Sequence, residues 1–155
     1  LGGIEVNICR PIDDAELGTF TRATTELTDG TVLRHDWYGG SLVRDDSSIE
    51  LMLEGPSAEE SRARLPRLRA VVADIDSIQR RASDAVVTAF SQGDPEPFEL
   101  DEAASDLALE AIEASADGTI VLHLTDTCGT HFPEGYWPAA HLGDDDTITH
   151  VTVES

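Results

Sequence analysis

The stretch from residue 49 to residue 60 marks the end of a strand and the start of a helix. Its first six residues, IELMLE, alternate with the two-residue period of a half-buried strand. Gly55-Pro56 then ends the strand, and Ser57 and Glu60 have the spacing of a helical capping box. These signals predict that a strand is followed directly in the chain by a helical segment, which can pack against the sheet to which the strand belongs.

Apolar side chains recur at helical spacing in the segment that follows. Pro66 either kinks this helix or marks its true start, and a break at residues 74–77 would divide it in two. We expect Leu68 and Val72 to be buried against the sheet. Six of the ten arginines lie at residues 62–81, and we expect them to pair with local acids on the solvent face.

The sequence before this stretch predicts further strands. The predicted segments are a short strand at residues 1–10, a solvated acidic loop at 13–16, and strands at 19–27 and 31–38. Asp29-Gly30 is a strong signal for the hairpin turn between the last two strands. We expect Gly39-Gly40 to break or bulge the returning strand.

After the helices, the pattern predicts a short helical turn and four strands. The turn is expected at residues 101–105, and the strands at 107–115, 119–125, 137–142 and 147–153. The composition of residues 107–116 also allows a helix there. In the second of these strands Ile120, Leu122 and Leu124 face the core, so His123 lies on the opposite face. The order strands, helices, strands predicts a single α+β domain over residues 1–155. We expect a largely antiparallel sheet with a central helical segment, one kinked helix or two helices, packed on one face.

Charge restricts the classes of partner. The chain has 31 acidic and 10 basic residues, a formal net charge of −21, and every basic residue is arginine. From Ala82 to Ser155 there are sixteen acids and no basic residue. Because phosphate contact requires a basic footprint, we expect neither nucleic acid nor an anionic membrane as partner. A basic protein is the partner that this field would attract.

Cysteine content and hydropathy indicate the compartment. Cys9 and Cys128 are too few for a disulfide framework, so we expect free thiols in a reducing compartment. No apolar run approaches the ~20 residues of a membrane span. We therefore expect a small soluble cytoplasmic protein.

The candidate metal ligands are His123, Cys128 and His131, which lie within nine residues of one another. Imidazole and thiolate are good zinc ligands, although the spacing matches no standard zinc motif. In the alternative, Cys128 and His131 serve the hydrogen bonds and packing of their own loop. The same two residues could form a nucleophile and base, but no oxyanion hole or third orienting group is evident. We assign no catalytic residue and expect no required cofactor.

Residues 128–137, CGTHFPEGYW, are predicted to form an ordered loop between two strands. Glu134, Tyr136 and Trp137 are the candidate partner-binding residues, since aromatic residues are enriched at binding hot spots. Of the two roles we expect Trp137 to anchor the loop against the core, because its large apolar surface favours burial.

Four features of the chain carry a resemblance to known families. They are Trp37-Tyr38-Gly39 at the end of an early strand, the apolar helical stretch, Asp117-Gly118, and Gly135-Tyr136-Trp137-Pro138-Ala139 before a strand and an acidic turn. With these features the chain resembles small uncharacterised bacterial α+β proteins, grouped as domains of unknown function. Some of those families resemble immunity proteins that neutralise secreted toxins. The resemblance implies a binding protein and transfers no catalytic residue.

Two hypotheses follow from the sequence. The first is a non-catalytic binding protein, of immunity type, with a basic protein as its partner. The second is a metal-binding protein, or a small metal-dependent enzyme, that uses the cluster from His123 to His131.

Overall fold

The computed structural model describes residues 10–44, 47–91, 93–128, 132 and 136–154. In this part of the chain eight strands form one sheet, and their order in space follows their order in the chain. The strands are β1 (Ile12–Asp14), β2 (Gly18–Glu26), β3 (Val32–Arg44), β4 (Ser47–Glu54), β5 (Leu107–Ala114), β6 (Ile120–Asp126), β7 (Trp137–Leu142) and β8 (Ile148–Glu154). The helices between β4 and β5 are α1 (Ala58–Arg62), α2 (Leu65–Ala73), α3 (Ile75–Phe90) and α4 (Pro97–Asp106).

This arrangement confirms the predicted largely antiparallel sheet and is compatible with the α+β class, although strand residues outnumber helical ones. Only β4 and β5 pair in parallel among the described strands, because the helical insertion between them returns the chain to the same end of the sheet. The predicted hairpin turn at Asp29-Gly30 joins β2 to β3, with Gly30 at a φ of +88°. The strand predicted at residues 1–10 lies outside the described residues.

The prediction that Gly39-Gly40 would break or bulge its strand is wrong. β3 runs through both glycines, and its register with β4 is regular over residues 37–44. The glycines instead permit close packing, because a Cβ on Gly40 would lie 3.0 Å from the ring of Phe20. The register of β3 with β2 does shift just before the glycines: residues 22–24 of β2 face residues 34–38 of β3, so the extra residues of this irregularity lie in β3.

The prediction of a solvated loop at residues 13–16 is wrong for Asp14, which is the last residue of β1 and has a nearly buried carboxylate. Asp14 is 5% exposed at its side chain, and its Oδ1 accepts a hydrogen bond from Arg69 Nε at 2.8 Å. Its Oδ2 accepts the backbone N–H groups of Leu17 and Glu16 at 2.9 and 3.1 Å. Burial raises the pKa of Asp14, but the hydrogen bonds from Arg69 and the two amides outweigh it and lower the pKa overall. Asp14 therefore ties the edge of the sheet to α2.

The helices begin and end at sequence signals. Ser57 is the N-cap of α1, as predicted, and its hydroxyl accepts the N–H of the third helical residue at 3.3 Å. Pro66 lies in the first turn of α2 and marks the true start of that helix. The predicted break separates α2 from α3 at Asp74. α4 is longer than the predicted turn at 101–105, because Pro97 starts it where no N–H donor is needed. None of the described helices has the length and apolar character needed to cross a membrane.

The buried residues of the helices and of one sheet face form one apolar core. We call this side of the sheet the covered face; its fully or nearly fully buried residues include Tyr38, Ile49, Leu51, Leu53, Ile112, Ile120, Leu122 and Leu142. Leu68 is fully buried, as predicted, but Val72 is only half-buried. The buried stripe of α2 follows a three-residue spacing from Leu65 through Leu68 to Val71, so Val72 packs only against the margin of the core.

The arginines of the helical segment pair over longer distances than predicted. Arg67 donates to the carboxylate of Asp146 at 2.5 Å and to the carbonyl of Gly143 at 2.6 Å, both in the turn between β7 and β8. Arg80 follows the prediction, with its Nε 2.9 Å from the carboxylate of Asp84 one turn away. Long-range pairs of this kind connect the helices to a turn of the sheet and do not lie along the solvent-facing side of the helices.

Candidate functional site

The open face of the sheet, opposite the covered face, carries two rows of side chains that run across the strands. In the first row the register partners on β4 to β7 are Glu50, Ala111, His123 and Ala139. In the second row the partners on β4 to β8 are Met52, Glu113, Val121, His141 and His150. Because successive side chains of a strand alternate between faces, both rows point away from the core-facing residues beside them.

These rows form most of a groove of about 600 Å³ on the open face. The groove is lined by Glu50, Met52, Glu110, Ala111, Glu113, Val121, His123, Trp137 and His141. Ala111 and Val121 are buried and Met52 is half-buried, so small and apolar side chains form its floor. Trp137, the first residue of β7, is 42% exposed and adds an indole ring to the lining.

The charged groups of the groove are carboxylates. Glu50 and Glu110 are exposed and Glu113 is half-buried, whereas no arginine lines the groove among the residues described. Arginines are engaged elsewhere: the guanidinium of Arg22, for example, bonds the carboxylate of Asp36 and the carbonyl of Pro56. The described lining of the groove therefore contains carboxylates and no guanidinium.

An imidazole pair extends this surface to the edge strand β8. The rings of His141 and His150 stack with centroids 4.0 Å apart and an interplanar angle of 12°. Nε2 of His141 is 2.9 Å from the hydroxyl of Thr152, and Nδ1 of His150 is 3.1 Å from that of Thr149. The threonine contacts orient both rings, so the aromatic surface continues beyond the groove.

The predicted metal ligands are not brought together as a set. His123 lies in the groove on the open face, as predicted, whereas Cys128 follows the end of β6 by two residues. A strand rises about 3.3 Å per residue, so the backbone of His123 is already about 10 Å from the end of β6. No group of three or more His, Cys, Asp or Glu side chains within the described ranges could hold a metal ion. His131 lies outside the described residues, and the zinc site that includes it stays a prediction.

Cys128 takes part in the hydrogen bonds of its own turn. Its thiol is free and exposed, with Sγ 3.2 Å from Oδ1 of Asp106, and its N–H donates to Oδ1 of Asp126 at 3.2 Å. The hydrogen bond to Asp106 raises the pKa of the Cys128 thiol. Because the thiolate is both the nucleophile and the metal ligand, a raised pKa disfavours either role at neutral pH. The geometry fits the structural interpretation of this cysteine.

Trp137 does not anchor the preceding loop in the core, contrary to one sequence expectation. Tyr136 and Trp137 are 49% and 42% exposed. Phe132 makes the core contact instead, and its ring meets that of Phe90 edge-to-face with centroids 5.5 Å apart. The exposure of both aromatic residues fits their candidate role in partner binding. Glu134, the third candidate for that role, lies outside the described residues.

The sequence interpretation missed the carboxylates of the groove and His141. The alternation along β4 did place Glu50 and Met52 away from the core, and this was the signal from which their position on the open face could have been predicted. The parallel pairing of β4 with β5 brings Glu50 and Glu113 onto adjacent strands, but the long helical insertion separates them in sequence. Their proximity therefore could not be inferred from any local pattern.

Comparisons with protein-family models, with curated proteins and with solved structures find no match for this chain. The site is interpreted from its own chemistry, which is an apolar floor, an exposed indole and acidic side chains. These groups suit the binding of a cationic ligand that has an apolar or planar body.

Proposed function

We propose that the protein is a non-catalytic binding protein that engages a basic protein through the open face of its sheet. The observation that supports this proposal is the groove, in which Glu50, Glu110 and Glu113 line the same concave surface as small and apolar side chains. The net charge of −21 would attract a basic partner at long range, and the groove carboxylates would pair with it at contact.

The side chains of the open face have the distribution expected of an interface. Apolar area is concentrated at Met52, Val121 and Trp137, and carboxylates lie beside it. In protein complexes such central apolar and aromatic residues contribute most of the affinity, and peripheral charges contribute register and association rate.

The resemblance to immunity-like families points to a biological role for this binding. In that form the partner is a secreted toxin with a basic surface, and this protein neutralises it by occupying that surface. A toxin gene next to the gene for this chain would support the immunity role, and co-expression of the two proteins would test neutralisation directly.

Affinity capture with matched variants tests the proposal. The wild-type protein, a Glu50→Gln/Glu113→Gln variant and a Glu16→Gln/Glu102→Gln variant would be immobilised in parallel. Both double variants lose two negative charges, but Glu16 and Glu102 are exposed residues that do not line the groove. We expect basic proteins to be retained by the wild type and by the control variant, and to be lost from the groove variant.

Three results would count against this function. An equal loss of capture in both variants would show that retention reflects net charge and not the open face, and equal capture by all three proteins would show that the groove carboxylates take no part. A captured set without basic proteins would remove the electrostatic basis of the proposal. Melting curves of both variants establish that the comparison is between folded proteins.

The alternative, a zinc protein that uses His123, Cys128 and His131, has a separate measurement. Elemental analysis of protein purified without a histidine tag would give about one zinc per chain if the alternative holds. We expect a substoichiometric zinc content that does not change in Cys128→Ser, because the thiol of Cys128 is bonded to Asp106.

A further inference from the structure

We propose that the groove on the open face binds an arginine side chain of the basic partner. This inference rests on the proposed function and makes it more specific, because it names the recognised group. The groove combines carboxylates with an exposed indole, and its volume of about 600 Å³ is ample for one guanidinium and its aliphatic stem.

The carboxylates are spaced for a forked cation. Glu50 is the register partner of Ala111 on β5, and Glu113 lies two residues further along that strand. Adjacent strands are about 4.8 Å apart and two residues span about 6.6 Å, so the two backbone positions are about 8 Å apart. Side chains from such positions can reach both sides of a guanidinium, which has five N–H donors in a fixed planar arrangement.

Trp137 supplies a face on which a planar cation can stack. Its indole is 42% exposed and lines the same groove as the carboxylates. Tryptophan is the strongest of the aromatic residues in cation–π contacts, and arginine is the cation most often found in them. The exposure of so large an apolar side chain has a direct explanation if a partner covers it.

The floor of the groove distinguishes arginine from other occupants. Ala111, Val121 and Met52 offer apolar contact to the aliphatic stem of a long side chain. A wholly apolar segment would leave the neighbouring carboxylates desolvated and unpaired, which is unfavourable. Lysine would pair as a compact, strongly hydrated charge, whereas arginine is less hydrated and can stack and pair at once.

A titration with three short peptides tests the inference without knowledge of the natural partner. The peptides are acetyl-Gly-Arg-Gly-amide and its lysine and citrulline counterparts, added to ¹⁵N-labelled protein. We expect the arginine peptide to shift the indole N–H signal of Trp137 and the backbone amides of the groove. The lysine peptide should bind about two- to fivefold more weakly, which corresponds to the loss of one exposed cation–π contact. The uncharged citrulline peptide should produce no saturating shift.

Variants separate the two kinds of contact. Glu50→Gln/Glu113→Gln should weaken arginine-peptide binding by at least about fivefold, because both charged partners are lost. Trp137→Phe should keep part of the arginine-over-lysine preference, and Trp137→Ala should abolish the preference. The Glu16→Gln/Glu102→Gln control should bind the arginine peptide as the wild type does, since neither residue lines the groove.

Shifts spread over the helices, or equal binding of the arginine and lysine peptides, would overturn the arginine inference. If either result accompanied groove-dependent capture of basic proteins, the proposed function would stand and only the recognised group would be wrong. If groove-dependent capture failed as well, the proposed function would fall together with the inference.

Discussion

Leu122 and His123 are neighbours on β6, yet they belong to different parts of the molecule. Leu122 is fully buried on the covered face, where it joins the apolar core beneath the helices. His123 is half-buried on the open face, between Ala111 and Ala139 in a row of register partners. The comparison shows that the alternation of side chains between the two faces of one strand serves two purposes. One set of alternate residues holds the fold, and the other is free to carry a recognition surface.

The largest expected effect is on the covered face. We predict that Leu122→Ala lowers the free energy of unfolding by about 2–5 kcal/mol, because it removes buried apolar contacts and leaves a cavity. His123→Ala on the same strand should cost less than about 1 kcal/mol, since its ring faces the groove. Urea melts of the two variants measure both values. Similar losses for the two would show that the faces do not differ as the burial pattern indicates.

The adjacent glycines of β3 give a second comparison across the same sheet. A Cβ on Gly40 would lie 3.0 and 3.1 Å from two atoms of the Phe20 ring and 3.1 Å from the carbonyl oxygen of Thr19. A Cβ on Gly39 would meet the ring of Trp37 at 3.0 Å, and Trp37 is half-buried on the open face with room to move.

We therefore predict that Gly40→Ala destabilises the protein by about 1–3 kcal/mol, as overpacking does. Gly39→Ala should change the stability by about 0.5 kcal/mol or less, because the flexible Trp37 side chain can shift and the unfolded chain loses entropy. Thermal unfolding of the two variants under one condition provides the measurement. A larger loss for Gly39→Ala would mean that the open face is the more tightly packed one.

These comparisons also indicate how much of the fold was available from the sequence. Alternation placed Ile49, Leu51 and Leu53 in the core, and local signals placed the cap at Ser57 and the helix start at Pro66. Each of these features depends on residues within one turn or one strand. Periodicity and capping chemistry are therefore sufficient to predict them.

The remaining features depend on contacts between distant segments. Asp14 was expected in a solvated loop, but its carboxylate meets Arg69 of α2. Gly40 was expected to interrupt β3, but it makes room for Phe20 of β2. The groove depends on the pairing of β4 with β5 across the helices, so its carboxylates could be located only after the sheet order was known. Of the candidate site residues, His123 and Trp137 were identified from the sequence, and both line the groove.

A smaller effect is expected from Asp14, at the edge of the sheet. Hydrogen bonds from Arg69 and two backbone amides lower the pKa of Asp14 in the folded state, despite the opposing effect of burial. A lowered folded-state pKa contributes stability above the unfolded value of about 3.9, and this contribution is lost as pH falls through the folded-state pKa.

We predict that Asp14→Asn costs about 1 kcal/mol at pH 7, or a few degrees in melting temperature, because Arg69 is partly exposed and solvent screens the pair. The difference from the wild type should begin to shrink below about pH 4, where the carboxylate of the unfolded chain becomes protonated, and should be lost as the pH falls through the lowered folded-state pKa. Melting temperatures measured from about pH 7 to about pH 3 follow this change. A difference that is constant with pH would indicate that packing, and not ionisation, explains the loss.

The smallest effect should have the opposite sign and lie on the open face. Glu113 is half-buried in the groove with Glu50 and Glu110, and the whole chain carries a net charge of −21. Neutralising one of several like charges removes repulsion, so Glu113→Gln should raise the melting temperature by about 1–2 °C at low ionic strength.

Sodium chloride should raise the melting temperature of the wild type between about 10 mM and about 1 M, because the Debye length falls from about 30 to about 3 Å. The higher melting temperature of Glu113→Gln should disappear at the high-salt end, since salt then screens the repulsion that the substitution removes.

A destabilised Glu113→Gln variant would show that this carboxylate supports the fold, and that the open face is not free for recognition. A stabilised variant that also binds the arginine peptide more weakly would show that the protein retains Glu113 for binding at the expense of stability.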